Sequence, residues 1–439
     1  MYHAARCYNH RRFEGGDFLA TNLGARASQT FQSFRRRDFT LVWVSGNIAM
    51  AGRQMEVIAI LWLVAELTDS NALLVSLAGG APLSLAFLSV FAGAVVDRLP
   101  RRLLLATMQF IAAALAFIFM LLLLADGLRV WMIFVIIIGG GMFRTFELPV
   151  TNALLIDTVP RRRLTNAVAM LGLGQNLTQF VGPIVGGFLY TPLTPAGLFA
   201  FIGALYAAGG LLALLVRTRN TTVGQTTPRE ILVGVGEGLR HVWQRKELFM
   251  SLLIAAMYNV TGFPFTTALM PIFTRDVLKA GVDVLGLLNG AMGAGAIIGS
   301  LTVAGVGNLR RQGWWLVWAV NGGWHASMIL FAVAVMTLPG LLPFGAVLAI
   351  LLAIKVMTGI GRAGSLVLVM TVLMGNSDPE YRGRMGGMRV LAIQAHFPAS
   401  ALNGWMVTHI GAPLTALYLG IGGSIAVFLC LLSRRLREA

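Results

Sequence analysis

The sequence predicts an all-α polytopic membrane protein, with twelve transmembrane helices arranged as two six-helix bundles. Three observations lead there. Of 439 residues, 57% are hydrophobic and only 12% charged, whereas a soluble domain has about 45–50% and about 25%. Runs of about 20 apolar residues, the length that crosses about 30 Å of hydrocarbon, recur between short polar segments. Lysine and arginine concentrate in alternate loops, as the charge rule for cytoplasmic loops requires.

Residues 1–38 form a polar, arginine-bearing tail without the apolar stretch of a signal peptide. The first span is therefore expected to act as an uncleaved anchor, and residues 1–30 as a flexible tail. Six spans follow within 39–216, near 39–66, 71–96, 102–125, 130–153, 167–190 and 195–216. Residues 217–246 form a linker, polar and turn-rich up to Pro228 and then a basic amphipathic helix suited to the inner membrane surface. Six more spans fill 247–433, near 247–272, 284–306, 314–337, 342–374, 386–408 and 412–432. The tenth exceeds a bilayer's thickness, which predicts tilt or projection beyond the interface. A short tail, 434–439, ends the chain.

Of the 34 lysines and arginines, 27 fall in the tails, the linker and loops 2–3, 4–5, 8–9 and 10–11. Three fall in the opposite loops (Arg129, Arg275, Lys279) and four inside spans. This split predicts that both termini are cytoplasmic, at the cell inner membrane. Membrane topology thus accounts for the formal charge of +16, and no nucleic-acid partner is expected. Cys7 and Cys430, in or near the two cytoplasmic ends, are expected to stay unpaired. The six histidines form no metal-spaced cluster, and no Walker A motif occurs. No metal, no cofactor and no enzymatic activity are expected.

The two halves repeat. Loop 2–3, AGAVVDRLPRR, corresponds to loop 8–9, AGVGNLRRQ. Loop 4–5, DTVPRRRLTNAVAM, corresponds to loop 10–11, NSDPEYRGRMGGMRV, with Pro160 and Pro379 separated by 219 residues. GAVVDRLPRR resembles the loop 2–3 signature of the major facilitator superfamily, G-x-x-x-D-R-x-x-R-R, with Gly93, Asp97, Arg98, Arg101 and Arg102 in its positions. VPRRRLTNAVAM, PIFTRDVLKAGVDVLGLLNGAMGAGAIIG and DPEYRGRMGGMRVL resemble the branch that includes macrolide and tetracycline efflux proteins and the enterobactin exporter. The resemblance covers roughly residues 35–435 and implies the major facilitator fold, with parallel halves.

It also implies a cytoplasmic gate. Asp97 would meet the N-terminal end of the helix beginning near Gly386, Gly387 and Arg389, where the helix dipole favours a carboxylate. That contact would hold the outward-facing form closed at the cytoplasm. Arg98, Arg101 and Arg102 either serve this gate or only set topology. Asn308 stands where the second-half acid would sit, which predicts a weaker gate there. In the fifth span, Gly182, Pro183, Gly186 and Gly187 resemble the G-P-x-x-G-G core of the superfamily's antiporter motif, with Thr178 where the motif has a further glycine. The glycines permit close helix approach, and Pro183 frees a carbonyl and bends the helix. Packing on the glycine-rich eighth span is the other use of the same residues, and the two are compatible.

Away from the span ends, four cations and two acids lie inside the membrane. Arg53 with Glu56, and Arg144 with Glu147, form R-x-x-E pairs in the first and fourth spans, which are counterparts in this fold. Three-residue spacing predicts that each arginine pairs with its own glutamate. Ionised groups in hydrocarbon cost at least about 2.5–3.5 kcal/mol, so both pairs should face inward. By the resemblance, spans one, four, seven and ten line the central cavity, where Tyr258, Asn259, Lys355 and Arg362 join them; Arg362 could instead reach the cytoplasmic interface. The surplus of two cations fits an anionic or partly anionic substrate. The pairs either serve transport or only lower the insertion cost and lock helices together.

Glu147 and Glu56 are the proton-coupling candidates, because a desolvated acid holds its proton and releases it when an arginine approaches. His325 and His396 could titrate, but are more simply packed, hydrogen-bonded residues. Trp62, Phe263, Phe265, Trp324 and Phe397 either shape a pocket for flat compounds or pack. With the resemblance, these residues imply a monomeric secondary active transporter of a small organic molecule, working by alternating access. The leading reading is proton-coupled export of a drug, a siderophore-like molecule or an acidic metabolite. An importer or facilitator of the same fold, and a non-transporting sensor or scaffold, are the alternatives.

Overall fold

The computed structural model describes residues 32–80, 99–217, 228–306, 311–378, 381, 385, 388–389 and 392–433. Gly93, Asp97, Arg98, Asn308, Gly386, Gly387 and Cys7 lie outside the described residues, as do both expected tails beyond residues 32 and 433. Within the described residues the regular structure is helical, with one isolated bridge between Pro339 and Leu342. Helix occupies the described part of every expected span, and among the described residues eight helices are long and apolar enough to cross a membrane. The tenth span, Phe344–Gly375, has 32 residues, about 48 Å at ~1.5 Å per residue.

Proline sets where the helices break. The fifth and sixth spans run together as Leu164–Leu214, and the chain turns at Thr194 (φ 60°, ψ 162°), between Pro192 and Pro195. The fourth span divides into Val130–Arg144 and Glu147–Thr158. Pro149 has no N–H for the Thr145 carbonyl and its ring crowds that turn, so the helix cannot run straight through. The seventh span is the most interrupted: Lys246–Thr261, Phe263–Thr266, Leu269–Ile272 and a wide turn over Phe273–Val277, punctuated by Gly262, Pro264 and Pro271. The ninth carries a similar wide turn, Ala319–His325, between two α-helical stretches.

The first and third spans pack on the merged fifth–sixth helix, and the eighth packs on the tenth. Two seams join the halves, fifth span to eighth and second to eleventh. Both depend on absent side chains. A Cβ on Gly187 would fall 2.6 Å from the Val282 carbonyl, and one on Gly404 would fall 2.7 Å from the Leu73 Cα. One end of the interface is also latched by polar contacts. Arg275 donates to the Ala65 carbonyl and to Ser70 Oγ, each at 2.7 Å, and Ser70 donates to Asp276 at 3.0 Å. These loops are the ones expected to lie outside the cell.

The opposite end carries an ion pair on each of the corresponding loops 4–5 and 10–11. Arg101 at the foot of the third span makes a two-pronged contact to Asp157 at 2.9 and 3.0 Å, and Arg102 donates to the Val216 carbonyl. Arg245, before the seventh span, grips Asp378 the same way at 2.7 and 2.8 Å. The helix Pro228–Gln244 leads into that clamp, and its His241 stacks on Tyr381 at 4.2 Å. Its Val233, Leu239 and Trp243 are exposed, the apolar side expected of an interfacial helix.

Candidate functional site

A cavity of about 320 Å³ lies between the halves. Its wall comes mainly from the first, fourth, fifth, seventh, eighth and tenth spans. The fifth and eighth are thus added to the four expected, because their glycine seam closes one side of the space. The ionisable lining groups are Arg53, Glu56, Arg144 and Arg362.

Three spans converge on one carboxylate. The same oxygen of buried Glu56 accepts from the Arg144 guanidinium and from the Tyr206 hydroxyl, the latter at 2.6 Å. Arg144 also lies over the Tyr206 ring, 5.3 Å from its centroid. Hydrogen bonds to an ionised acceptor are the stronger kind. Leaving either charge buried without its partner would cost about 3–5 kcal/mol.

This arrangement replaces the expected pairing within each helix. Arg144 reaches Glu56 rather than Glu147, and Arg53 lines the cavity with no ion pair to Glu56. Thr145 and Phe146 keep helical backbone angles, so packing makes the choice: the neighbouring first and sixth spans bring Glu56 and Tyr206 to the guanidinium. Glu147 is partly buried and is not among the lining residues.

On the tenth span, Arg362 lines the cavity and donates to Gln179 of the fifth span at 3.2 Å, so it bridges the halves instead of reaching an interface. Lys355 and Asn259 are buried behind the wall and do not line it. Asn259 donates to the Ala255 carbonyl within its own helix. His325 is buried between Thr261 and Asn321, at 2.9 and 3.0 Å, and His396 bonds the Ile393 carbonyl. Both behave as packed, hydrogen-bonded residues. Phe263 lines the cavity, Trp324 packs against Gly262, and Trp62 donates to Glu66, which also accepts from Tyr190. The side chain of Phe397 is outside the described residues.

The glycine motif divides its faces. Gly182 and Gly186 abut Gln54 and Met55 of the first span, whereas Gly187 abuts Gly286 of the eighth. Pro183 cannot donate to the Gln179 carbonyl, and Gly293 of the eighth span packs against that carbonyl. Gln179 therefore touches the second half through both its backbone and its side chain. Tyr206 and Gln179 escaped the reading of the sequence, because neither carries a charge or a motif.

Residues 28–371 match the profile of a family described as transmembrane secretion effector. The chain belongs to this family of the major facilitator superfamily. This major facilitator transporter is 24% identical over 419 residues to the multidrug efflux pump Tap of Mycolicibacterium fortuitum, covering 92% of this chain and 97% of that one. It is 26% identical over 219 residues to the staphyloferrin A transporter of Staphylococcus aureus, covering 49% of this chain and 54% of the relative; that match spans about half the relative's length. Among solved structures, the nucleoside transporter NupG superposes with a TM-score of 0.67 at 14% identity, over 90% of this chain and 99% of that one. A D-xylose–proton symporter gives 0.62 at 16% identity, over 90% and 96%. The fold is the major facilitator fold, and the protein is a multi-pass membrane transporter of small molecules, not an enzyme.

Proposed function

We propose that this transporter exports an acidic or amphipathic small organic molecule across the cell inner membrane in exchange for protons. It works as a monomer, by alternating access, with both termini in the cytoplasm. Its bundles are residues 39–216 and 247–433, joined by the linker 217–246. The observation that carries this reading is the cavity's charge pattern: three arginines and one carboxylate line it among the described residues. Arg53 and Arg362 are not neutralised there and suit an anionic group. Met50, Ile58, Leu61 and Ile136 offer apolar wall for the rest of the molecule. Glu56, which lines the cavity, is the better coupling acid than Glu147. If the end of the Val130–Arg144 helix withdraws, Glu56 exchanges its arginine for a proton. Efflux as the direction is supported by the likeness to Tap.

The test is flux into everted membrane vesicles with a panel of acidic metabolites, siderophores and hydrophobic drugs, with and without an acid-inside gradient. Uptake of acidic members that depends on the gradient is expected. Uptake indifferent to the gradient would remove proton coupling, and uptake of cationic drugs alone would remove the proposed anion selectivity.

A further inference from the structure

Lys355 is fully buried, and its Nζ has no hydrogen-bond partner among the described residues. The ammonium instead sits 5.0 Å from the centroid of the Phe265 ring. An aromatic face compensates a desolvated cation in part, but a buried charge without a counter-ion is costly and calls for a reason. Arg362 lies seven residues further along the same helix and lines the cavity. Seven residues are two turns, so the two side chains share one stripe, about 10.5 Å apart along the axis. One member of the stripe is open to the cavity and the other is covered.

The cover is the broken part of the seventh span. Phe263, Thr266 and Thr267 line the cavity, whereas Phe265 turns away from it onto the ammonium. Helix is interrupted on both sides of this turn, at Gly262 and at Thr267–Ala268. The same segment continues into Phe273–Val277, whose Arg275 and Asp276 hold the outer latch to Ala65 and Ser70. Cover and latch are therefore one stretch of chain, 262–277.

We propose that Lys355 is a substrate-binding cation for a carboxylate or similar anionic group. In this conformation it is withdrawn behind Phe265, and it is delivered to the cavity when the Arg275 latch opens and the segment shifts. The proposal rests on the reading of the cavity as the transport site. It gives the two conformations different affinities for an anion, and only such a difference lets substrate bias the equilibrium between them. A cation uncovered when the outer end opens favours anion binding from that side; net export then depends on the proton gradient and not on this difference in affinity.

The test is thiol labelling in a Cys7→Ser, Cys430→Ser background, using the anionic reagent sulfonatoethyl methanethiosulfonate on membranes open to it from both sides. Arg362→Cys is the cavity reference and should react in every background. Lys355→Cys should react slowly while Arg275 is intact and at least about tenfold faster with Arg275→Ala, as a population shift toward the uncovered form requires. Should Arg275→Ala fail to fold, Phe265→Ala decides, since it removes the cover and leaves the latch. No acceleration overturns the proposal. So does reactivity already equal to that of Arg362→Cys with the latch intact. In both of those cases a reactive Arg362→Cys leaves the cavity reading standing; an inert Arg362→Cys would overturn the cavity reading, and this inference with it.

Discussion

In the first half of the chain, Arg144 and Tyr206 meet on Glu56, and charge is matched by charge. In the second half, Lys355 and Arg362 share a helix stripe in a region where no aspartate or glutamate occurs from residue 284 to residue 377. The halves still agree in their frame. Asp157 of loop 4–5 is gripped by Arg101 and Asp378 of the corresponding loop 10–11 by Arg245. The corresponding loops thus each offer an aspartate to an arginine, though the arginines come from different places, while the interior chemistry of the halves differs. A half with a hydrogen-bonded carboxylate can exchange a proton; a half with only cations can attract an anion but cannot take part in that exchange. Under the proposed function, coupling would belong to Glu56 in the first half, and the substrate's charge to Arg53 of that half together with the cations of the second.

The comparison breaks most severely at Glu56. Glu56→Gln leaves Arg144 buried without its counter-ion, a loss of about 3–5 kcal/mol. Gradient-driven flux should fall at least about 100-fold and the thermal unfolding midpoint should drop, which detergent-solubilised protein can report. Next comes Tyr206→Phe, which deletes one hydrogen bond to a charged group, about 1.5–3 kcal/mol. A roughly tenfold loss of flux is expected, in the same assay where Glu147→Gln stays near wild type. In the second half, Lys355→Met should lower the flux of acidic compounds several-fold relative to neutral ones. Its unfolding midpoint should hold or rise, because an uncompensated buried charge is removed. The smallest expected effect is at the seam. Gly187→Ala pushes a methyl against the Val282 carbonyl, an overpacking cost of about 1–3 kcal/mol. It should slow turnover and leave labelling of Arg362→Cys in the cavity intact.

The frame was legible in the sequence because a bilayer constrains it strongly. The length and apolar character of the spans follow from the solvent that surrounds the chain. The interior partners were less legible. R-x-x-E suggests a pair within one helix, but the Arg144 guanidinium is taken by Glu56 of the neighbouring first span. Tyr206 carries no charge to mark it, and becomes meaningful only when the sixth span is laid beside the first. Lys355 was visible as a cation at mid-span, but its withdrawal depends on Phe265, whose direction follows from a break in a different helix. Pairings across helices are set by packing, and no spacing rule along one helix contains them.

The most direct measurement compares Glu56→Gln with Glu147→Gln for acidic-substrate uptake into everted vesicles, with and without an acid-inside gradient. Coupling in the first half through the Arg144–Tyr206 network predicts that Glu56→Gln abolishes the gradient-dependent component while Glu147→Gln retains it. Retention of full gradient dependence in Glu56→Gln, with loss in Glu147→Gln, would contradict the account.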